Sequence, residues 1–141
     1  MAIKHFTLNT GQAIPAIGLG NNPPFTPLPT PTTDSEKGTW QSPPGAVQTA
    51  VLEALKAGYR LIDCAYCYGN EEEVGRGLAE AFATGVVTRE EVFVVTKVWA
   101  TYTTRVELGL EKSLALLGLD YVDLFLVVRT FAVFFLGMWR W

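Results

Sequence analysis

At 141 residues the chain has the length of one ordinary domain, and its 49% apolar and 12% aromatic content argues for a packed core rather than disorder. Eleven basic against 14 acidic side chains leave a formal charge of −3, without the basic footprint of a nucleic-acid binder or a cationic face for anionic lipid. Collagen, coiled coil and a disulfide-stapled secreted domain do not fit these figures.

The order of elements follows from periodicity. Lys4 to Ile14 fits a small hairpin turning at Thr10-Gly11, and Ile17-Gly18-Leu19-Gly20 reads as a short strand. A first helix carries Val47, Ala50, Val51, Ala54 and Leu55 on one face and stops at Gly58. A strand over 59–63 follows. Asn70 then reads as the N-cap of a second helix, with Glu71, Glu72 and Glu73 in its first turn and Glu73 at the capping-box position. This helix turns Val74, Leu78, Ala81 and Phe82 inward and ends near Gly85. A strand over 92–98 precedes a third helix, which starts at Thr103 or Thr104, buries Val106, Leu110, Leu114 and Leu117, and stops at Gly118. The last strand covers 121–127. Nearly continuous apolar strands alternating with helices predict an α/β fold with a parallel sheet.

Two stretches break the pattern. Residues 21–38 hold five of the eight prolines and no period, and they read as an inserted loop. Residues 128–141 form an apolar tail. The apolar run from Leu124 to Trp139 contains Arg129 and falls short of the roughly 20 residues that a spanning helix needs, so no membrane span is expected. With two cysteines and no export signal near the N-terminus, the cytoplasm is the expected compartment.

In a parallel α/β array the reacting groups gather at the carboxyl ends of the strands. Asp63 and Lys97 sit at such ends, and Tyr68 lies in the loop after Asp63. An ammonium stabilises a neighbouring phenolate, and a carboxylate keeps that ammonium charged and oriented. The trio could make a proton donor for a carbonyl oxygen; the alternative is a solvated tyrosine beside a strand-end ion pair. Cys64 and Cys67 form a C-x-x-C, but no second ligand pair accompanies it and the single histidine, His5, is distant in sequence. Loop cysteines are the expected reading, with thiol-redox chemistry the lesser alternative. The acidic run 71–73 is explained as a helix start, and no metal site is expected.

Three segments resemble the aldo-keto reductases: Asp63-Cys64-Ala65-Tyr66-Cys67-Tyr68-Gly69-Asn70-Glu71-Glu72-Glu73-Val74-Gly75, Thr96-Lys97-Val98-Trp99, and Leu117 through Val127. Thr39-Trp40-Gln41-Ser42-Pro43-Pro44-Gly45 is similar to that family's first loop. The resemblance, of the aldose or aldehyde reductase type, covers 3–20 and 39–127. It implies part of a (β/α)₈ TIM barrel, about the first four strands and three helices behind an N-terminal hairpin. It also implies reduction of small aldehydes and ketones with NADPH, in which hydride reaches the carbonyl carbon while a tyrosine protonates the oxygen. Carried over by motif, Tyr68 would be that acid, Lys97 would stabilise its phenolate and Asp63 would hold Lys97. Asp63 and Lys97, with Thr39 and Trp40, would also lie at the cofactor. Trp40, Tyr66, Cys67 and Trp99 would line the substrate pocket.

The chain departs from the family where a histidine, a tryptophan and a proline are expected after the fourth strand; Val128, Arg129 and Thr130 stand there. A full barrel also needs about 250 residues. These features imply a truncated, inactive chain, or a non-catalytic interaction piece, with exposed strand edges open to self-association. Translation of retained introns would account for both 21–38 and 128–141.

Overall fold

The computed structural model describes residues 3–22 and 42–127. Thr39 and Trp40, most of the proposed insertion and the apolar tail lie outside them.

Strands β1 (His5–Thr7) and β2 (Ala13–Pro15) pair antiparallel, with Phe6 opposite Ile14. The Leu8 N–H donates to Gln12 O at 2.8 Å, and Gly11 at φ 86° supplies the left-handed turn residue where Thr10-Gly11 predicts one. The main sheet is parallel throughout, in the order β3 (Leu19–Gly20), β4 (Leu61–Asp63), β5 (Phe93–Val98) and β6 (Leu124–Val127). Helices α1 (Ala46–Lys56), α2 (Glu71–Ala83) and α3 (Val106–Leu117) connect successive strands. Spatial order thus equals sequence order, as the alternating pattern requires for a run of βαβ units.

The core lies between sheet and helices. Val51 and Leu55 from α1, Val74, Leu78 and Ala81 from α2, and Ile62, Val92 and Val94 from the strands and their approaches are essentially without solvent contact. Two glycines let α2 come close to its neighbours. A Cβ at Gly77 would lie 2.8 Å from Gln48 O on α1, and one at Gly75 would strike the Leu117 backbone at the end of α3.

Several local expectations are corrected. The strands are shorter than their apolar runs, because Tyr59, Arg60, Tyr121, Val122 and Asp123 serve as approach segments rather than as ladder residues. Helix α3 begins at Val106, after a 3₁₀ turn at Ala100–Tyr102. Its deepest line is Gly109, Ser113 and Leu117, with Val106, Leu110 and Leu114 only half-buried. Small residues can approach the sheet more closely than leucines can, and the helix is phased accordingly. On α1, Ala50 faces solvent and Leu52 is buried instead.

The capping of α2 also differs. The Asn70 side chain does not cap its own helix; its Nδ2 donates to Asn21 O at 2.9 Å. Glu73 reaches across to α1, accepting from the N–H groups of Gly45 and Val47 at 3.0 Å each. A carboxylate on the free donors of a helix start is favourable whichever helix supplies it. Among the described residues no helix is long and apolar enough to cross a membrane.

Candidate active site

Strand alternation splits β5 between two environments. Thr96 points into the helix-covered core and has no solvent exposure, while the Lys97 side chain emerges on the other face and keeps 18% of its surface. Asp63 ends β4, one strand away in register. Lys97 Nζ donates to Asp63 Oδ1 at 2.6 Å and to the Cys64 carbonyl at 2.8 Å. The second bond is a contact that motif spacing alone does not reveal, because any residue after Asp63 would supply the carbonyl.

Tyr68 comes to the same place on a one-turn 3₁₀ helix, Tyr66–Tyr68. The Tyr68 N–H donates to Ala65 O at 3.0 Å, and Gly69 at φ 66° turns the chain into α2. Lys97 Nζ lies 5.2 Å from the centroid of the Tyr68 ring. Burial works against the Lys97 charge, yet Asp63 first and Tyr68 second outweigh it and hold the ammonium above its ordinary range. The structure thus brings Asp63, Tyr68 and Lys97 together at the carboxyl ends of β4 and β5.

Around them, Tyr66 is half-buried and meets the Tyr102 ring edge-on, with centroids 5.5 Å apart and planes at 82°. The Tyr102 phenol, then burial, raises the Tyr66 pKa. Cys67 is exposed on the turn, and Trp99, just beyond β5, is 45% exposed. Tyr102 is a ring neighbour of Tyr66 that sequence reasoning missed; it has no motif and is brought in by the turn before α3.

The C-x-x-C pair does not converge. Cys64 is buried and donates to Val95 O at 3.0 Å, while Cys67 faces solvent. Burial, then the nearby Glu71, pushes the Cys64 thiol up to about 12, the opposite of what a redox nucleophile needs. No group of three or more candidate metal ligands occurs among the described residues.

Glu71 is a further buried group. It is 1% exposed, and its Oε1 accepts from Thr96 Oγ1 at 2.6 Å. Burial raises its pKa, opposed by Thr96, by Ser113 and by the charge of Lys97. Ser113 Oγ faces the carboxyl without completing a hydrogen bond of good geometry.

To a dinucleotide cofactor these residues could offer the polar pair of Asp63 and Lys97. The Asp63 side chain is 43% exposed beside Lys97, so the polar pair is open to a ligand. The start of α1, which lines a cavity shared with Tyr68, already has its Gly45 and Val47 donors taken by Glu73 and is unsuited to a phosphate. Thr39 and Trp40 lie outside the described residues.

The model of the Aldo/keto reductase family matches residues 32–133. A D-galacturonate reductase of Hypocrea jecorina is 58% identical over 127 residues, covering 90% of this chain and 35% of that protein. Aldo-keto reductase family 1 member A1 of Mus musculus is 44% identical over 130 residues, again 90% of this chain and 34% of the relative. Among solved structures, an aldo-keto reductase of Bombyx mori in complex with NADP superposes with a TM-score of 0.74 at 39% identity, covering 90% of this chain and 38% of that one. The aldose reductase of Schistosoma japonicum gives 0.72 at 37% identity, with 89% and 36% covered. The chain spans about a third of the length of the curated relatives it matches.

Proposed function

The chain belongs to the aldo/keto reductase family, and from that premise we propose that its site serves the NADPH-dependent reduction of a small aldehyde or ketone. One observation carries the reading. Lys97 is fixed by Asp63 at 2.6 Å and by the Cys64 carbonyl at 2.8 Å, with its ammonium 5.2 Å from the Tyr68 ring. A phenol is a weak acid on its own and gives up its proton readily only where the resulting anion is stabilised. Tyr68 donates the proton to the carbonyl oxygen, Lys97 stabilises the phenolate left behind, and Asp63 with the Cys64 carbonyl orients Lys97. The cofactor, when bound, supplies hydride to the carbonyl carbon. Asp63 and Lys97 would border its reacting end, and the family resemblance extends that role to Thr39 and Trp40. By the same resemblance Trp40, Tyr66, Cys67 and Trp99 would wall the substrate. The NADP-bound relative and the reductases among the homologues support the cofactor and reaction class.

The 141-residue chain carries Val128 where the family has its carbonyl-orienting histidine. Loss of one positioned donor lowers turnover on the order of 10²–10³-fold. The isolated chain is therefore expected to show no measurable aldehyde reduction, and a non-catalytic role for it is the second reading. To separate site from chain, residues 1–127 are grafted in place of the matched segment of the Hypocrea jecorina reductase. NADPH consumption with D-galacturonate should then depend on Tyr68, with Tyr68→Phe and Lys97→Met each abolishing it. A soluble graft whose turnover survives Tyr68→Phe overturns the reading.

A further inference from the structure

We propose that Glu71 and Thr96 form a buried clamp that positions Tyr68 against Lys97, with Glu71 acting as a positioning residue rather than as a mere helix start. The inference rests on the reading of Tyr68 as proton donor, and it adds a residue pair on the far side of the sheet from the reacting groups.

The placement carries the argument. Glu71 opens α2 only three positions after Tyr68, so whatever fixes its side chain also fixes the end of the 3₁₀ turn that presents the phenol. Thr96 immediately precedes Lys97 on β5 and points the opposite way. The 2.6 Å bond from Thr96 Oγ1 to Glu71 Oε1 therefore ties the tyrosine-bearing turn to the strand at the residue next to the lysine. Within the turn itself the chain is held by short-range backbone bonds, Tyr68 N to Ala65 O at 3.0 Å and Gly69 N to Tyr66 O at 3.2 Å. A single 3₁₀ turn is weak alone. The clamp lies under it.

The chemistry of the pair also suits positioning better than general stability. A carboxyl with 1% exposure is costly to bury, and an apolar pair of similar volume commonly does as well or better for stability. Glu71 Oε2 completes no hydrogen bond, so this carboxyl is under-compensated. What the pair delivers is a short, directional link between two elements whose relative placement sets the distance from Tyr68 to Lys97. The Glu71 carboxyl is met by Thr96 from β5 and Ser113 from α3, and its charge is felt at Lys97 across the strand and at Cys64 and Tyr66 in the segment after β4.

Hydrogen–deuterium exchange on the 141-residue chain tests this without requiring turnover, so its outcome is independent of whether the carbonyl-reductase reading holds. Thr96→Val and Glu71→Ala should each speed exchange of the 66–70 amides about tenfold relative to those of α1, the effect of losing one charge-assisted bond. Glu71→Gln and Thr96→Ser keep an acceptor and a donor, respectively, and should retain the slow exchange. Unchanged exchange at 66–70 in Thr96→Val overturns the proposal. So does a uniform rise across α1, β4 and β5, or a Thr96→Val chain that fails to fold while Thr96→Ser folds, because either assigns the pair to stability alone.

Discussion

Removal of Asp123 should be among the most damaging single changes in the described fold. Its Oδ2 accepts from Arg89 Nη2 and from the Val94 N–H, both at 2.8 Å, and its Oδ1 accepts from Gln12 Nε2 at 3.4 Å. The two charged side chains are only 14% and 11% exposed. Breaking a buried ion pair from one side costs about 3–5 kcal/mol, because the remaining charge stays buried. Arg89 would still donate to Val92 O and Tyr121 O and lie over the Tyr121 ring, with 3.8 Å from guanidinium to centroid. That residual solvation puts Asp123→Ala near the lower end, about 3 kcal/mol, with part of the loss coming from the stranded Val94 N–H. Asp123→Asn keeps an acceptor and should lose roughly half as much. Urea unfolding followed by circular dichroism reads both as shifts in midpoint at constant slope. A loss below about 1 kcal/mol for Asp123→Ala, the range of exposed pairs, would refute the reasoning.

Thiol labelling at mild alkaline pH should modify Cys67 quickly and Cys64 only after unfolding, since burial and Glu71 push the Cys64 thiol up to about 12. Equal native rates at the two thiols would contradict the geometry. Glu71→Gln should gain stability relative to the parent as pH rises from about 4.5. Burial raises the folded-state pKa of Glu71 above that ordinary value, so the unfolded chain loses its proton first and stability falls over this interval. A pH-independent difference in denaturation midpoint would count against it. Gly77→Ala should cost about 1–3 kcal/mol, because its Cβ would press to 2.8 Å from Gln48 O and force α1 and α2 apart. Thermal melts that leave this variant within a degree of the parent would disprove the close approach.

The parallel α/β order was legible because two independent signals agree: apolar runs without alternation for β5 and β6, and helical periods ended by glycines, as at Gly118 with φ 65°. Asp63, Tyr68 and Lys97 were legible as a set because strand ends and the following turn are the places such an array presents. Their distances were not legible, since these depend on register, and register depends on partners 31 or more residues away. Helix α3 misled because its many leucines fit more than one face, and only the small Gly109 and Ser113 decide which of them meets the sheet. Spacing assigns Glu73 to its own helix, because spacing carries no information about a neighbouring helix whose donors are within reach. Asn21, read as the first residue of an insertion, continues the β3–β4 pairing by donating its N–H to Asp63 O at 3.2 Å. Composition marks where a loop is unusual but not how far the preceding ladder runs into it.

The fold uses the same chemical pair at both ends of its sheet, and exposure decides what each pair can do. Arg89 and Asp123 meet at 2.8 Å before β5 and β6 begin, largely closed off and with backbone groups among their further partners. Lys97 and Asp63 meet at 2.6 Å where β5 and β4 end, with the carboxylate 43% exposed and an aromatic ring over the ammonium. The first pair is nearly closed to solvent and bonded to backbone, so it serves the fold. In the second, Lys97 is anchored by two acceptors and partly buried, so its charge persists and its field is screened less than it would be in open water. The open side of Asp63 leaves room for a ligand without breaking the anchor. A charge fixed from behind and reachable from in front is what the proposed proton donor, Tyr68, would require, and this geometry sets the carboxyl end of the sheet apart from its opposite end.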